Sequence, residues 1–360
     1  MMSELTGWET EVIITVCPEC DWRYIVPTEK VPLRCPHCFA ANLEPVTEEV
    51  EQLPYLRPPE LVTPFTVTKT AADAHIEKFA DGIPFAPRDL NPDALRSRVQ
   101  PFYTPMWLVD GDVIATWEAE VGFDYNVVSH QERYSDGSGW ATREVEETRI
   151  RWEPRVGRLE RGYDNVVAPA LEQHAALEKA VGTYKLGDAA PYTADALETA
   201  VVRLPDRAPE AAWTDAAPAF QAASGEECRQ AASADHIRQF RWSPTYAGQN
   251  WTLLLLPLYA TYYLDDERQP RPVLINGQSG RVYGVRRASM QRAQRTALII
   301  VAVASVLFLL SLVAGVAGLA VPPLLVVGGL GGVVALGIGL GAIIPIFRAW
   351  QFNRKPLEML

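Results

Sequence analysis

Residues 296–347 read TALIIVAVASVLFLLSLVAGVAGLAVPPLLVVGGLGGVVALGIGLGAIIPIF, 52 positions without one Asp, Glu, Lys, Arg or His. A membrane-spanning helix needs about 20 apolar residues rising ~1.5 Å each. The Val321-Pro322-Pro323 break divides the run into two such stretches, 296–321 and 324–347. The expected element is therefore a transmembrane hairpin with a minimal turn. A buried helix pair in a soluble core would keep a polar stripe and caps, which this run lacks.

The flanks give an orientation. Arg281, Arg286, Arg287, Arg292 and Arg295 crowd the fifteen residues before the first span, and Arg348, Arg354 and Lys355 follow the second. Positive residues stay on the cytoplasmic side. Since the connecting turn is uncharged, the reading is a multi-pass protein of the cytoplasmic (inner) membrane with both termini, including the tail 348–360, in the cytosol. The arginines can also hold anionic lipid, each contributing ~1 kcal/mol near the surface. The start of the chain, Met1-Met2-Ser3-Glu4-Leu5-Thr6-Gly7-Trp8, lacks the basic beginning and apolar core of a signal peptide.

Four of the five cysteines stand as Cys17-Pro18-Glu19-Cys20 and Cys35-Pro36-His37-Cys38. Paired Cys-x-x-Cys knuckles present thiolates to one tetrahedral ion, and a β-hairpin between them would bring the two pairs together. The expectation is a zinc ribbon over residues 1–45, its structural Zn²⁺ held by Cys17, Cys20, Cys35 and Cys38. Disulfides do not suit a reducing cytosol, and a redox Cys-x-x-Cys occurs once, not twice in a short module. A sphere closed by four thiolates leaves no position for water, so it folds the module and catalyses nothing.

Charge weighs on the partner. The chain carries −11, and since the residues from 296 onward contribute +2, the first 295 carry −13. The ribbon alone holds seven acidic residues against Arg23, Lys30 and Arg34. That field speaks against phosphate contact and hence against a nucleic-acid surface.

Residues 46–63 are acidic and proline-rich, with Glu48, Glu49 and Glu51 ahead of Pro54, Pro58 and Pro59, and read as an extended linker. Residues 64–290 read as a cytosolic α+β domain containing an antiparallel sheet. A short helix over 70–79 leads to a strand at 102–109, a hairpin turn at Asp110-Gly111 and a strand at 113–121. An exposed strand follows at 142–152. Helices are expected over 170–180 and 219–240, a buried strand at 251–264, and a hairpin over 271–283 turning at Asn276-Gly277.

Pro64-Phe65, Phe85-Ala86-Pro87, Tyr103-x-Pro105-x-Trp107 with Asp110, Leu254-Leu255-Leu256-Pro257-Leu258-Tyr259 and Asn276-Gly277-Gln278-Ser279-Gly280-Arg281-Val282 follow the four-cysteine module in that order. The series resembles a bacterial family of zinc-ribbon membrane proteins (TFIIB-type zinc ribbon-containing proteins) that often carry the label "primosomal protein N′ (replication factor Y), superfamily II helicase". The chain departs from that pattern in having Met106-Trp107 and Leu258-Tyr259 where bulkier aromatic pairs are common and Ser279 where threonine is usual, and neither change touches the metal ligands. The helicase half of the label finds no support, because a helicase needs a Gly-x-x-x-x-Gly-Lys-Ser/Thr loop and this chain has no Gly-Lys pair. What the resemblance implies is a membrane anchor or adaptor in envelope maintenance, with an SPFH-domain or phage-shock-type protein as its cytosolic partner. The alternative is a tether for nucleic acid or the replication machinery.

No catalytic constellation emerges, so the chain does not read as an enzyme. His37, His75, His130, His174 and His236 fall in separate segments and form no His-x-x-x-His pair, while Gly277-Gln278-Ser279-Gly280 lacks nucleophile-elbow spacing. Cys228 reads as a small packed residue. The pairs Gly328/Gly332 and Gly337/Gly341 have small-xxx-small spacing. They could seat the first span of the same hairpin or the hairpin of a second subunit in a homo-oligomer.

Overall fold

A computed structural model describes residues 7–46, 53–135, 137 and 139–354. Glu48, Glu49 and Glu51 of the expected linker and residues 355–360 of the tail lie outside that set. The chain divides into two compact units, the first made of Met1–Pro105, Gln173–Pro205 and Leu255–Leu360, the second of Met106–Glu172 and Asp206–Leu254. The class is mixed α and β, with one large sheet and two long apolar helices at the C-terminal end. The stretch 64–290 contributes to both units.

In the first unit, strands β1 (Val12–Val16), β2 (Arg23–Pro27) and β3 (Glu44–Pro45) form the cysteine-bearing edge. Helices α1 (Lys69–Ala80) and α2 (Pro92–Ser97) precede β5 (Gln100–Ser135), whose first residues belong here; the two-residue β4 is Leu61–Val62. After β6 (Trp140–Ala168) come α3 (His174–Val181), β7 (Ala190–Pro191), α4 (Asp195–Thr199) and β8 (Val201–Arg203). Helix α5 is Pro209–Ala231, and β9 (His236–Leu264), β10 (Pro270–Asn276) and β11 (Val282–Gly284) complete the sheet. The strand order is β11-β10-β9-β5-β8-β2-β1-β3, with β5 and β8 parallel at Phe102↔Val201.

Local chemistry accounts for these elements. Thr68 Oγ1 caps α1 by accepting from Ala71 N at 3.2 Å, and the helix buries Ala72, Ile76 and Phe79 at helical spacing. Asn91 caps α2 in the same way, ahead of Pro92 in the first turn. The β10–β11 turn falls where Asn276-Gly277 places it, since Asn276 Oδ1 accepts from the backbone N–H of Gln278 and Ser279.

The second unit corrects the sequence in two places. Asp110-Gly111 is not a turn. Strand β5 runs straight through it, paired with β6 from Trp107↔Ala168 to Ser135↔Trp140, and the register slips by a bulge between Val109 and Gly111. Asp110 spends its carboxylate on the Asn165 backbone N–H at 2.7 Å, and burial of Val113, Ala115, Trp117, Ala119 and Val121 continues the alternation that a strand demands. The helix expected over 219–240 is displaced: α5 starts at Pro209 and stops at Ala231, and from His236 the chain is β9. Its contact stripe, Ala212, Ala216, Phe220, Ser224 and Cys228, repeats every four residues, and Cys228 is fully buried as a small packed residue.

Helix α6 (Met290–Ala317) begins earlier than the expected span and contains Arg292 and Arg295; α7 (Pro323–Gly341) and α8 (Ile343–Arg354) follow the double proline. Both apolar segments, Met290–Ala317 and Pro323–Arg354, are long and apolar enough to cross a membrane, and only 11% and 17% of their most apolar windows are buried. Ser289 caps α6 and donates to Asp266 Oδ1 at 2.5 Å, while Ala288 N–H donates to Asn353 Oδ1 at 2.8 Å, tying both helical ends to the unit.

Of the glycines, Gly328 lies against α6. A Cβ there would stand 2.6 Å from Gly315 N, whereas Gly332, Gly337 and Gly341 meet nothing within 4 Å. Gly328→Ala should therefore part α6 from α7 at a cost of ~1–3 kcal/mol, as overpacking does. Thermal melts in detergent should show that loss for Gly328→Ala and none for Gly337→Ala.

Candidate metal centre

The four sulfurs of Cys17, Cys20, Cys35 and Cys38 lie within 4.8 Å of one another, the Cys17–Cys38 and Cys20–Cys35 pairs at 3.5 and 3.7 Å. A disulfide would need ~2.05 Å. Four thiolates at ~2.3 Å from one ion would be ~3.8 Å apart along the tetrahedron's edges. The donor set therefore fits a single tetrahedral metal ion. Among the described residues it is the one cluster of at least three His, Cys, Asp or Glu side chains so placed.

Each knuckle is set by its backbone. Asp21 N–H donates to Cys17 O and Phe39 N–H to Cys35 O, at 3.0 and 3.1 Å, and Asp21 and Phe39 both take positive φ, 58° and 54°. Both turns thus close four residues after their first cysteine. Ala40 N–H donates to Cys38 Sγ at 3.5 Å.

The closely spaced sulfurs shift one another's ionisation. The Cys20 thiol beside it holds Cys35 down to about 5, helped by the backbone N–H of Cys38 and His37. Cys20 is pushed up by that same contact and then by burial, and burial first raises Cys17 to about 11. Like charges this close do not all ionise without a cation.

The expected hairpin between the knuckles is corrected. Strand β1 pairs with β2 from Val12↔Pro27 to Val16↔Arg23, so the hairpin encloses the first knuckle. Between the knuckles lie a 3₁₀ turn at Thr28–Lys30 and an extended stretch with one bridge, Arg34↔Asn42. The unforeseen strand is β1, five β-branched residues in a row.

Nor does the cysteine module stand away from the sheet. Strand β2 pairs with β8 at Tyr24↔Arg203, and Cys17, Cys35, Trp22 and Phe39 share a core with Phe102, Val201 and Leu258. Lys30 Nζ donates to Leu197 O and Glu198 O at 2.8 and 2.6 Å. Arg203 lies 4.7 Å from the centre of the Trp22 ring, on which His37 stacks at 3.7 Å. His37 is no part of the sulfur cluster; burial lowers its pKa, and its buried Nδ1 has no hydrogen-bond partner among the described residues. The remaining histidines stay apart, His236 on Asp124 and His130 near Glu132.

Tyr262 is the residue that spacing could not reveal. Arg34 and Arg98 lie 4.9 and 4.7 Å from its ring centre, Phe39 stacks on it at 4.6 Å, and Arg34 Nη1 donates to its hydroxyl at 2.9 Å. Its only signal was an aromatic in an apolar strand. Tyr262→Ala should cost ~3–5 kcal/mol, as buried aromatic truncations do, and Tyr262→Phe ~1–3 kcal/mol for one charge-assisted hydrogen bond. Denaturant midpoints would order the two. With the site described, comparison with known proteins adds nothing: no protein-family model, no curated protein and no solved structure matches this chain.

Proposed function

We propose that the chain is a membrane-anchored zinc-ribbon adaptor, its hairpin in the cytoplasmic membrane with both termini in the cytosol, and its soluble part recruiting a protein partner. Zinc suits the four-thiolate set best, because a closed sulfur tetrahedron is its structural coordination. Such a site supplies folding energy and no reactive position, so the metal is a staple and the function is binding.

One observation carries the recruiting role. Strand β9 begins at His236, whose imidazole meets Asp124, and beyond Asp124, among the described residues, strands β5 and β6 pair with each other alone to the Ser135↔Trp140 end. Most of that ribbon is exposed on both faces, Trp140 to 79%. Two-stranded hairpins are marginal in water, and free strand edges accept added strands. A protein surface completing this ribbon is the natural use of it. Residues 124–153 hold seven acidic residues against four arginines, which disfavours nucleic acid.

On the strength of the family resemblance, the partner is of the SPFH-domain or phage-shock type. The test is affinity purification of the full chain in mild detergent beside a variant whose ribbon is shortened past Asp124↔Ile150. The adaptor reading expects such a protein with the full chain and its loss with the shortened one. Salt-sensitive binding to DNA or RNA with no protein partner would sink it.

A further inference from the structure

The two edges of the exposed ribbon in the second unit differ in chemistry. Among the described residues β6 pairs with β5 alone, and β5 loses its neighbour on the other side where β9 begins, so beyond Asp124 both edges are open. Over residues 140–150 the β6 edge carries Arg143, Glu144, Glu146, Glu147 and Arg149. Charged side chains are what keep an open edge from pairing. The β5 edge lacks that protection: Tyr125-Asn126-Val127-Val128-Ser129-His130-Gln131 holds no Asp, Glu, Lys or Arg, and no Pro or Gly either. Farther out, Glu132 spends its carboxylate inside the ribbon, on Arg143 Nη2 at 3.0 Å, with His130 Nε2 at 3.4 Å. Uncharged runs of β-branched and aromatic residues without proline are the ones that take on another strand.

The root of the ribbon limits what can pair there. His236 Nε2 lies 2.8 Å from Asp124 Oδ1, and Asp124 N–H donates to Asp235 Oδ2 at 3.1 Å, so an added strand must start beyond Asp124. Residues 125–135 remain, a length that the same residues of another chain match when they run antiparallel. About a two-fold axis at His130, Val127 faces Arg133, Val128 faces Glu132 and Ser129 faces Gln131, and no two like charges are opposed. Two ribbons that are each marginal in water then become one four-stranded antiparallel sheet, in the order β6-β5-β5-β6. A self-complementary patch of this kind closes on itself as a dimer instead of growing into a filament.

We propose that the chain forms a homodimer through this edge, β5 of one copy adding to β5 of the other over residues 125–135. The pairing rests on the exposed ribbon and not on the recruiting role, and it leaves the faces of the ribbon to a partner.

The test is the oligomeric state of the full chain in neutral detergent, read by native mass spectrometry and by light scattering across a dilution series. The parent should be dimeric. Ser129→Asp/Gln131→Asp and Ser129→Lys/Gln131→Lys, at exposed positions, oppose like charges across the axis and should each weaken dimerisation at least tenfold. Mixing the two variants should restore dimers containing one copy of each, which a misfolded ribbon could not do. Thr142→Asp, exposed on β6, should leave the dimer unchanged. A monomeric parent, or dimers undiminished in both double variants, overturns the proposal. A chain that pairs in this way and captures no cytosolic protein supports the dimer and overturns the adaptor reading alone.

Discussion

Cys35→Ala is expected to abolish the zinc binding proposed for the four-cysteine cluster and, with it, to cost the protein the cysteine-bearing edge of the first unit's sheet. Cys35 is fully buried, its sulfur 3.7 Å from that of Cys20, and it lies in one core with Tyr24, Phe102 and Leu258. A structural zinc site contributes an apparent ~10–16 kcal/mol, as much as the ~5–15 kcal/mol that holds a whole domain folded. Loss of one ligand therefore cannot be absorbed locally. Because β2 carries β8 on its other side, unfolding should reach Val201–Arg203 as well. Elemental analysis should find one zinc per chain in the parent and in Cys228→Ala, and almost none in Cys35→Ala. Limited proteolysis should cut the variant within residues 7–46 and near 201–203 first. A Cys35→Ala protein that resists protease like the parent would mean that sheet packing alone folds the module.

The same coupling explains what could be read from the residues and what could not. Cys17, Cys20, Cys35 and Cys38 are recognisable because ligand chemistry acts over three or four positions, and the Asn276-Gly277 turn because an Asn side chain can bond its own following N–H groups. Long-range decisions leave no such trace. Asp110-Gly111 has the composition of a hairpin turn, yet the partner strand that pairs across it lies some fifty residues downstream and makes it a bulge. Residues 232–240 continue an alanine-rich helix by propensity, but Arg238 reaches Glu120 and His236 reaches Asp124, contacts that only a strand provides. An acidic linker suggested a ribbon held on an arm. Lys30, Arg203 and Tyr262, each remote in sequence from what it touches, hold the module in the sheet instead.

Leu309→Arg should decide whether the apolar hairpin lives in a bilayer. Leu309 is 60% exposed on α6, and its neighbours Leu310 and Leu312 are exposed to 61% and 56%. If water surrounded these helices, an arginine there would meet solvent and change stability by no more than a typical surface substitution, within about 0.5 kcal/mol. In the middle of a spanning helix it should cost ~2.5–3.5 kcal/mol of insertion free energy. Glycosylation-mapped or protease-protected insertion assays read that difference directly, the parent inserting and Leu309→Arg largely failing. Topology follows from the same preparation: a label on Val321→Cys, in the turn between α6 and α7, should be reachable from outside intact cells. Labels near Leu5 and Glu358 should be blocked. A reachable site at Glu358 would mean that only one segment crosses, and Arg348 and Arg354 would then sit on the side that the positive-inside rule denies them.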